Sequence, residues 1–284
     1  DGNRDVSVVD FTYNRPRPND NQAPTKMANY LDAPYFASDI VHAGGNYMTD
    51  GLGTSASTDL VYVENFIPNS QVLQIMEDYY GIETYHVLDD PNNTYIDHID
   101  CWGKYLSPTK VMIREVPASH AQYGEIEATA TYFGNSTNEW GEPWEVYRVW
   151  TPNDQPYTNS LILNEKVLVP VTGSSWDDEA LTAYEEAMPG FDILPFTGSW
   201  ESTDALHCRI KGIPDLEMLQ IFHNPINDST EAIDNGYPVE VIIDDLSEAG
   251  LIEDSIKVFW KNPNVNDWNS EYLYGSDVPE EPNT

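Results

Sequence analysis

Between residues 159 and 197 the spacing of apolar positions changes period twice. NSLILNEKVLVPV (159–171) carries two β-rich apolar runs on either side of Asn164-Glu165-Lys166, the pattern of a hairpin. WDDEALTAYEEAMPG (176–190) places Leu181, Tyr184 and Ala187 at helical spacing, with acids crowding its start and Pro189-Gly190 ending it. FDILPF then predicts a short strand. The order hairpin, helix, strand recurs upstream. HIDCWGKYLSPTKVMIREV (98–116) predicts a hairpin turning near Ser107-Pro108, SHAQYGEIEATATYFG a helix ending at Gly134, and WEVYRVW a strand. Before that, NYMTDGLGTSASTDLVYVEN predicts strand, Gly-rich turn, strand. NSQVLQIMEDYYG follows as a helix capped by Asn69 or Ser70 and closed by Gly81, and TYHVL as a strand.

Partial units flank these three. Residues 5–43 predict strand, short helix, strand, with the unit's first strand absent, and residues 205–222 predict a hairpin that opens another unit. Repeats of this kind imply a pseudo-symmetric ring of α/β blades from which an N-terminal arc is missing. Polar residues fall at equivalent places in the units: Asn46, His98 with Asp100, Asn159, and Cys208. Equivalent positions of a ring converge on its axis, so residues far apart in sequence are expected to share one pocket. If each lies on a strand, side chains two apart share a face and neighbours oppose. His98 and Asp100 then point together, Cys101 points into the packing layer, and His207 faces away from Cys208.

Composition narrows the chemistry. The 284 residues carry 48 acids against 13 bases, a formal net charge of −35, which argues against nucleic acid as a partner. A hydrophobic content of 40% is that of a folded chain, and no apolar run of about 18 residues marks a transmembrane helix. The two cysteines are expected on different faces, which disfavours both a disulfide and a zinc site. No phosphate-binding glycine loop or nucleophile-elbow serine motif is present. No cofactor is expected.

A thiol, an imidazole, a carboxylate and an amide around one point suit a substrate that is a planar cation. A carboxylate binds a guanidinium bidentately, a thiolate can attack its carbon, and a histidine can protonate departing ammonia and then activate water.

The segments VDFTYNRPRPND, GGNYMTDG, HIDCWGKYLSP, QPYTNSLILN and TDALHCR, in this order, closely resemble bacterial-type peptidylarginine deiminases. These are relatives of agmatine deiminase in the guanidino-group-modifying superfamily. The resemblance implies an α/β fold, the pseudo-five-fold propeller known as the pentein. It implies Cys208 as nucleophile, His98 as general acid/base, Asp100 as guanidinium clamp and Asn159 beside the cysteine. Tyr95 and Thr203 fall at positions lining the substrate cleft, and Asn46 joins them as a substrate-side residue. Arg15 and Arg17 are expected to hold the α-carboxylate of a C-terminal arginine, with Pro16 favouring an extended Arg15. The expected partners are arginine-containing peptides or proteins, and the expected location is secreted or cell-surface.

One departure bears on activity. The family's second guanidinium-binding aspartate would lie just before residue 1, and neither Asp1 nor Asp5 fits its motif, so this polypeptide alone is expected to be inactive or nearly so. Residues 1–228 are expected to form the deiminase domain. Residues 229–284, with YPVEVIIDDLSEAGLIEDSIKVFWK placing Ile256, Val258 and Trp260 on one face, are expected to start an immunoglobulin-like β-sandwich. Agmatine deiminase and a non-catalytic guanidinium-binding protein stand as the alternative functions.

Overall fold

A computed structural model describes residues 6–210, 215–223, 239, 241–252, 255–260 and 267–272. The chain divides into two compact units, Asp1–Ile213 and Pro214–Thr284. The expected boundary at 228/229 lies outside the described residues.

The first unit opens with β1 (Val8–Tyr13), α1 (Ala23–Leu31) and β2 (Tyr35–His42), the two strands pairing in parallel. Three copies of one motif follow. The first is β3 (Met48–Thr49), β4 (Thr54–Thr58), α2 (Leu60–Glu64), α3 (Asn69–Tyr80) and β5 (Thr84–Leu88). The second is β6 (Gly103–Ser107), β7 (Lys110–Glu115), α4 (Tyr123–Asn135) and β8 (Glu145–Trp150). The third is β9 (Leu161–Leu163), β10 (Lys166–Val171), α5 (Asp177–Ala187) and β11 (Asp192–Thr197). In each, the first two strands form an antiparallel hairpin, and a helical crossover returns the chain to add a parallel third strand. The three predicted hairpin–helix–strand units are therefore present, except that Leu60–Glu64, expected to continue the first unit's second strand, is helical.

Local signals explain most boundaries. Gly81, at φ +66°, closes α3 in the left-handed region, with its N–H and that of Ile82 bonded to the carbonyls of Glu77 and Met76. The start of α3 differs from expectation. Pro68 is the flanking residue and its carbonyl receives Gln71 and Val72, so neither Asn69 nor Ser70 caps with its side chain. α4 likewise runs through Gly134 to Asn135.

Two apolar cores flank the second motif's hairpin. One gathers Ile99, Cys101, Trp102, Tyr105, Val111, Ile113, Ile126 and Phe133; the other gathers Leu106, Met112, Val149, Tyr157, Val167 and Tyr184. Alternate residues of β7 thus feed opposite clusters, as the period of a strand requires.

The expected hairpin over 205–222 does not form. Leu206–Arg209 is a short helical turn, α6. The amides of His207 and Cys208 take oxygens of Asn159 as partners instead of a neighbouring strand. The apolar run that looked like the hairpin's second strand is β12 (Leu219–His223), in the second unit, where it pairs antiparallel with β13 (Val241–Asp245). β14 (Lys257–Trp260) pairs with β15 (Asn269–Tyr272). The two strands read from YPVEVIIDDLSEAGLIEDSIKVFWK therefore each find a different partner rather than pairing with one another.

Candidate active site

The segment around His98 is not a strand. His98 is extended (φ −113°, ψ 138°), and Ile99–Cys101 forms one 3₁₀ turn, closed by bonds from Cys101 N–H to His98 O and from Trp102 N–H to Ile99 O. In a 3₁₀ turn side chains three apart eclipse. Ile99 and Trp102, both fully buried, anchor the turn in the core. His98 and Asp100 nevertheless converge as expected. A Cβ on Gly45 would stand 2.6 Å from His98 Nδ1 and 2.9 Å from Asp100 Oδ2, so both side chains close over the same glycine. Only a residue without a side chain fits there.

Asp100 is the hub, with 2% of its surface exposed. Its Oδ2 receives His207 Nδ1 at 2.9 Å and the Cys208 thiol at 3.1 Å, and its Oδ1 lies 3.6 Å from Cys101 Sγ. Burial alone would raise the Asp100 carboxyl, but the bonds from His207 and Cys208 outweigh it and hold the group below the usual carboxylate range. The reading that His207 faces away from Cys208 is corrected here. In a helical turn consecutive residues do not oppose, and both side chains reach the same carboxylate oxygen. His207 is lowered by burial and by the Lys104 charge, against the pull of the Asp100 carboxylate to which it bonds.

Cys208 is held from two sides. Asn159 Nδ2 donates to its Sγ at 3.1 Å while Asn159 Oδ1 receives the Cys208 amide at 3.3 Å. The thiol also lies 3.7 Å from the carbonyl of Thr203, a buried residue. Burial and the Asp100 carboxylate push the thiol up to about 12, against the pull of Asn159. Cys101 instead sits in the core with Ile99 and Trp102, and both cysteines are free.

His98 is 5% exposed with neither ring nitrogen bonded among the described residues, and burial lowers it to about 4. Asn46 Oδ1 receives Thr58 N–H, the Thr58 hydroxyl and Ile99 N–H, bracketing β4 to the His98 turn, and its buried Nδ2 has no partner among the described residues. Tyr95 is 84% exposed.

The arginine pair is not assembled. Arg17 N–H bonds to Arg15 O at 2.7 Å, a three-residue turn about Pro16 rather than an extended run. Proline's fixed φ lies close to what such a turn needs. Arg15 falls within electrostatic reach of His98 and Glu64, whereas Arg17 is exposed and lies 3.9 Å from Asp20.

Three residues escaped the sequence argument. Gly45 lay inside a quoted motif without a role. His207 was dismissed by strand parity. Lys104 carried no signal beyond being a charge within an apolar strand.

Residues 4–214 match the model of the Porphyromonas-type peptidyl-arginine deiminase family. The chain belongs to that family. Over 230 residues it is 23% identical to a protein of Yersinia pseudotuberculosis named a putative agmatine deiminase, covering 69% of this chain and 63% of that protein. A Mycoplasma mycoides protein of the same name is 22% identical over 209 residues, covering 61% of this chain and 57% of that protein. The chain thus spans less than two thirds of the length of these relatives. Among solved structures, agmatine deiminase of Enterococcus faecalis aligns with a TM-score of 0.62 at 19% identity, over 68% of this chain and 65% of that one. That of C. jejuni aligns with a TM-score of 0.60 at 16% identity, over 75% and 69%. These likenesses show an α/β fold shared with those two deiminases.

Proposed function

We propose that this family member hydrolyses the guanidinium group of its substrate through Cys208. The observation that carries the reading is the placement of the Cys208 thiol 3.1 Å from both the Asn159 amide and the Asp100 carboxylate. A guanidinium entering this site brings a cation beside both Asp100 and the Cys208 thiolate. Neutral His98 takes the thiol proton, and Cys208 Sγ bonds to the guanidinium carbon. The carbon–nitrogen bond then breaks, with the departing ammonia receiving the proton from His98. Water, deprotonated by His98, attacks the thiouronium carbon, and the carbon–sulfur bond breaks to leave a ureido product and the thiol. Asn159 orients Cys208, and the three repeats with the β1–β2 pair act as blades around this centre.

For the substrate, a small guanidine of the agmatine class has the better support, because the relatives carry that name. The family's own description and Arg15 near His98 favour a second reading, a peptide ending in arginine, whose carboxylate would give Arg15 a partner. Ammonia release from agmatine and from a peptide with C-terminal arginine separates the two. A haloacetamidine should label Cys208, detected by mass and blocked by the better substrate. A thiol that the probe leaves untouched at every pH would overturn the enzyme reading and leave a guanidinium-binding protein.

A further inference from the structure

Lys104 lies near the start of the buried strand β6, 9% exposed, with its Nζ donating to the carbonyl of Ser160 at 2.6 Å. A buried ammonium is costly unless it is paired and hydrogen-bonded. The carbonyl it holds ends the segment Tyr157–Ser160, and every residue of that segment is tied into the site or its support. Thr158 donates its hydroxyl to Asp100 O at 3.0 Å, and Asn159 clamps Cys208 from both ends of its amide. The Tyr184 hydroxyl reaches Tyr157 O at 2.8 Å and Ser160 Oγ at 2.9 Å. Lys104 is the charged peg of this arrangement. It also stands within electrostatic reach of Asp100, Cys208 and His207.

The charges around the centre give the peg a second role. Besides Asp100, Lys104 and Cys208, the titratable or charged groups here are His98 and Cys101 of the 3₁₀ turn, His207 and Arg209 of α6, and Arg15. His98 and His207 are held neutral by burial, Cys101 is a buried thiol, and Arg209 is taken up by Asp204 at the surface. In the interior, Asp100 and Lys104 then cancel. A Cys208 thiolate in the site without substrate adds a second negative charge beside Asp100, with Lys104 as the opposing ammonium. Remove Lys104 and those two negative charges stand without it, which the low-dielectric surroundings penalise strongly.

We propose that Lys104 is a positioning residue of the deiminase centre: its ammonium pins the Tyr157–Ser160 segment against Cys208 and supplies the positive charge that makes a Cys208 thiolate tolerable. The inference rests on the proposed role of Cys208. Its direct readout, however, is thiol reactivity rather than turnover, so a chain that does not deiminate still reports on Lys104.

The experiment is the rate of iodoacetamide alkylation of Cys208 from pH 6 to 10 without substrate, mapped by peptide mass, for the native chain, Lys104→Met and Lys104→Arg. Burial lowers Lys104 itself to about 8, so below that pH loss of the charge should raise the Cys208 titration of Lys104→Met by about 1–2 units, since a neighbouring opposite charge shifts a titration by about that much. At fixed pH this is roughly a 10–100-fold slower reaction. The arginine variant should recover most of the shift. With a turnover substrate, Lys104→Met should lower kcat more than it raises KM. A folded Lys104→Met with an unshifted curve would leave Lys104 a packing residue and overturn the proposal. If neither variant folds, the native chain decides. ¹³C-labelled Lys104 should titrate at higher pH after Cys208 is carboxymethylated than after it is carbamidomethylated, and equal midpoints overturn the coupling.

Discussion

Cys101 and Cys208 share one carboxylate. Cys101 Sγ lies 3.6 Å from Asp100 Oδ1, and Cys208 Sγ lies 3.1 Å from Asp100 Oδ2. Both thiols are raised by burial and by that carboxylate. What differs is the company on the other side. Cys101 packs among Ile99, Trp102 and the aromatic and aliphatic side chains of the second motif. Cys208 is half-buried on a short helical turn, held by the Asn159 amide and facing Thr203. Proximity to an acid is therefore common to both thiols; the oriented amide donor and the open side belong to Cys208 alone.

The strongest way to break this comparison is to exchange the fates of the two thiols. Cys208→Ser should lower guanidine turnover by at least about 10³-fold, as expected for loss of a covalent nucleophile. Cys101→Ala should stay within about threefold of the native rate. Steady-state ammonia release measures both, and comparable losses in the two variants would dissolve the distinction.

Next in size is the geometry that separates the two environments. Gly45→Ala places a Cβ against His98 Nδ1 and Asp100 Oδ2, and one of them must move. Asn159→Ala removes the amide that holds Cys208. Each should reduce kcat by about 10²-fold, the usual cost of one well-placed polar group. For Asn159→Ala, the haloacetamidine labelling rate should fall with it; labelling at the native rate would show that Asn159 does not orient the thiol.

Histidine burial gives a pH signature. His98 and His42 are both lowered to about 4 by burial, and the His42 Nδ1 accepts the Ala43 amide at 2.9 Å. Both are neutral in the folded chain, while the unfolded chain binds their protons near pH 6.5. Their contribution is thus fully present above pH 6.5 and is lost as pH falls from 6.5 towards 4, by a few kcal/mol in all. The thermal midpoint should drop across that window, and His42→Gln should flatten the drop. A midpoint that is level from pH 7 to 4.5 would contradict the burial assigned to these rings.

The smallest effect is on stability alone. Cys101→Ala leaves a small cavity beside Trp102 and should cost about 1–2 kcal/mol by denaturant unfolding. Lys166→Ala, at an exposed pair with Glu165, should cost under about 0.5 kcal/mol.

Period and punctuation in the sequence determined the three hairpin–helix–strand units, because apolar spacing reports directly which face of each element is buried. The quoted motifs determined which polar residues meet, and Asp100, Asn159 and Cys208 do meet. Tertiary structure alone decided how they meet. Strand parity placed His207 away from Cys208, yet a hydrogen bond from each amide to Asn159 curls 206–209 into a helical turn and brings both side chains to Asp100. The same holds for Arg15 and Arg17, where one backbone bond closes a turn that composition reads as extended. Lys104 and Gly45 are the clearest cases. A lysine in an apolar strand and one glycine of a pair carry no local mark of their roles, since a buried charge and a missing side chain acquire meaning only from the carbonyl, carboxylate and imidazole that other segments bring against them.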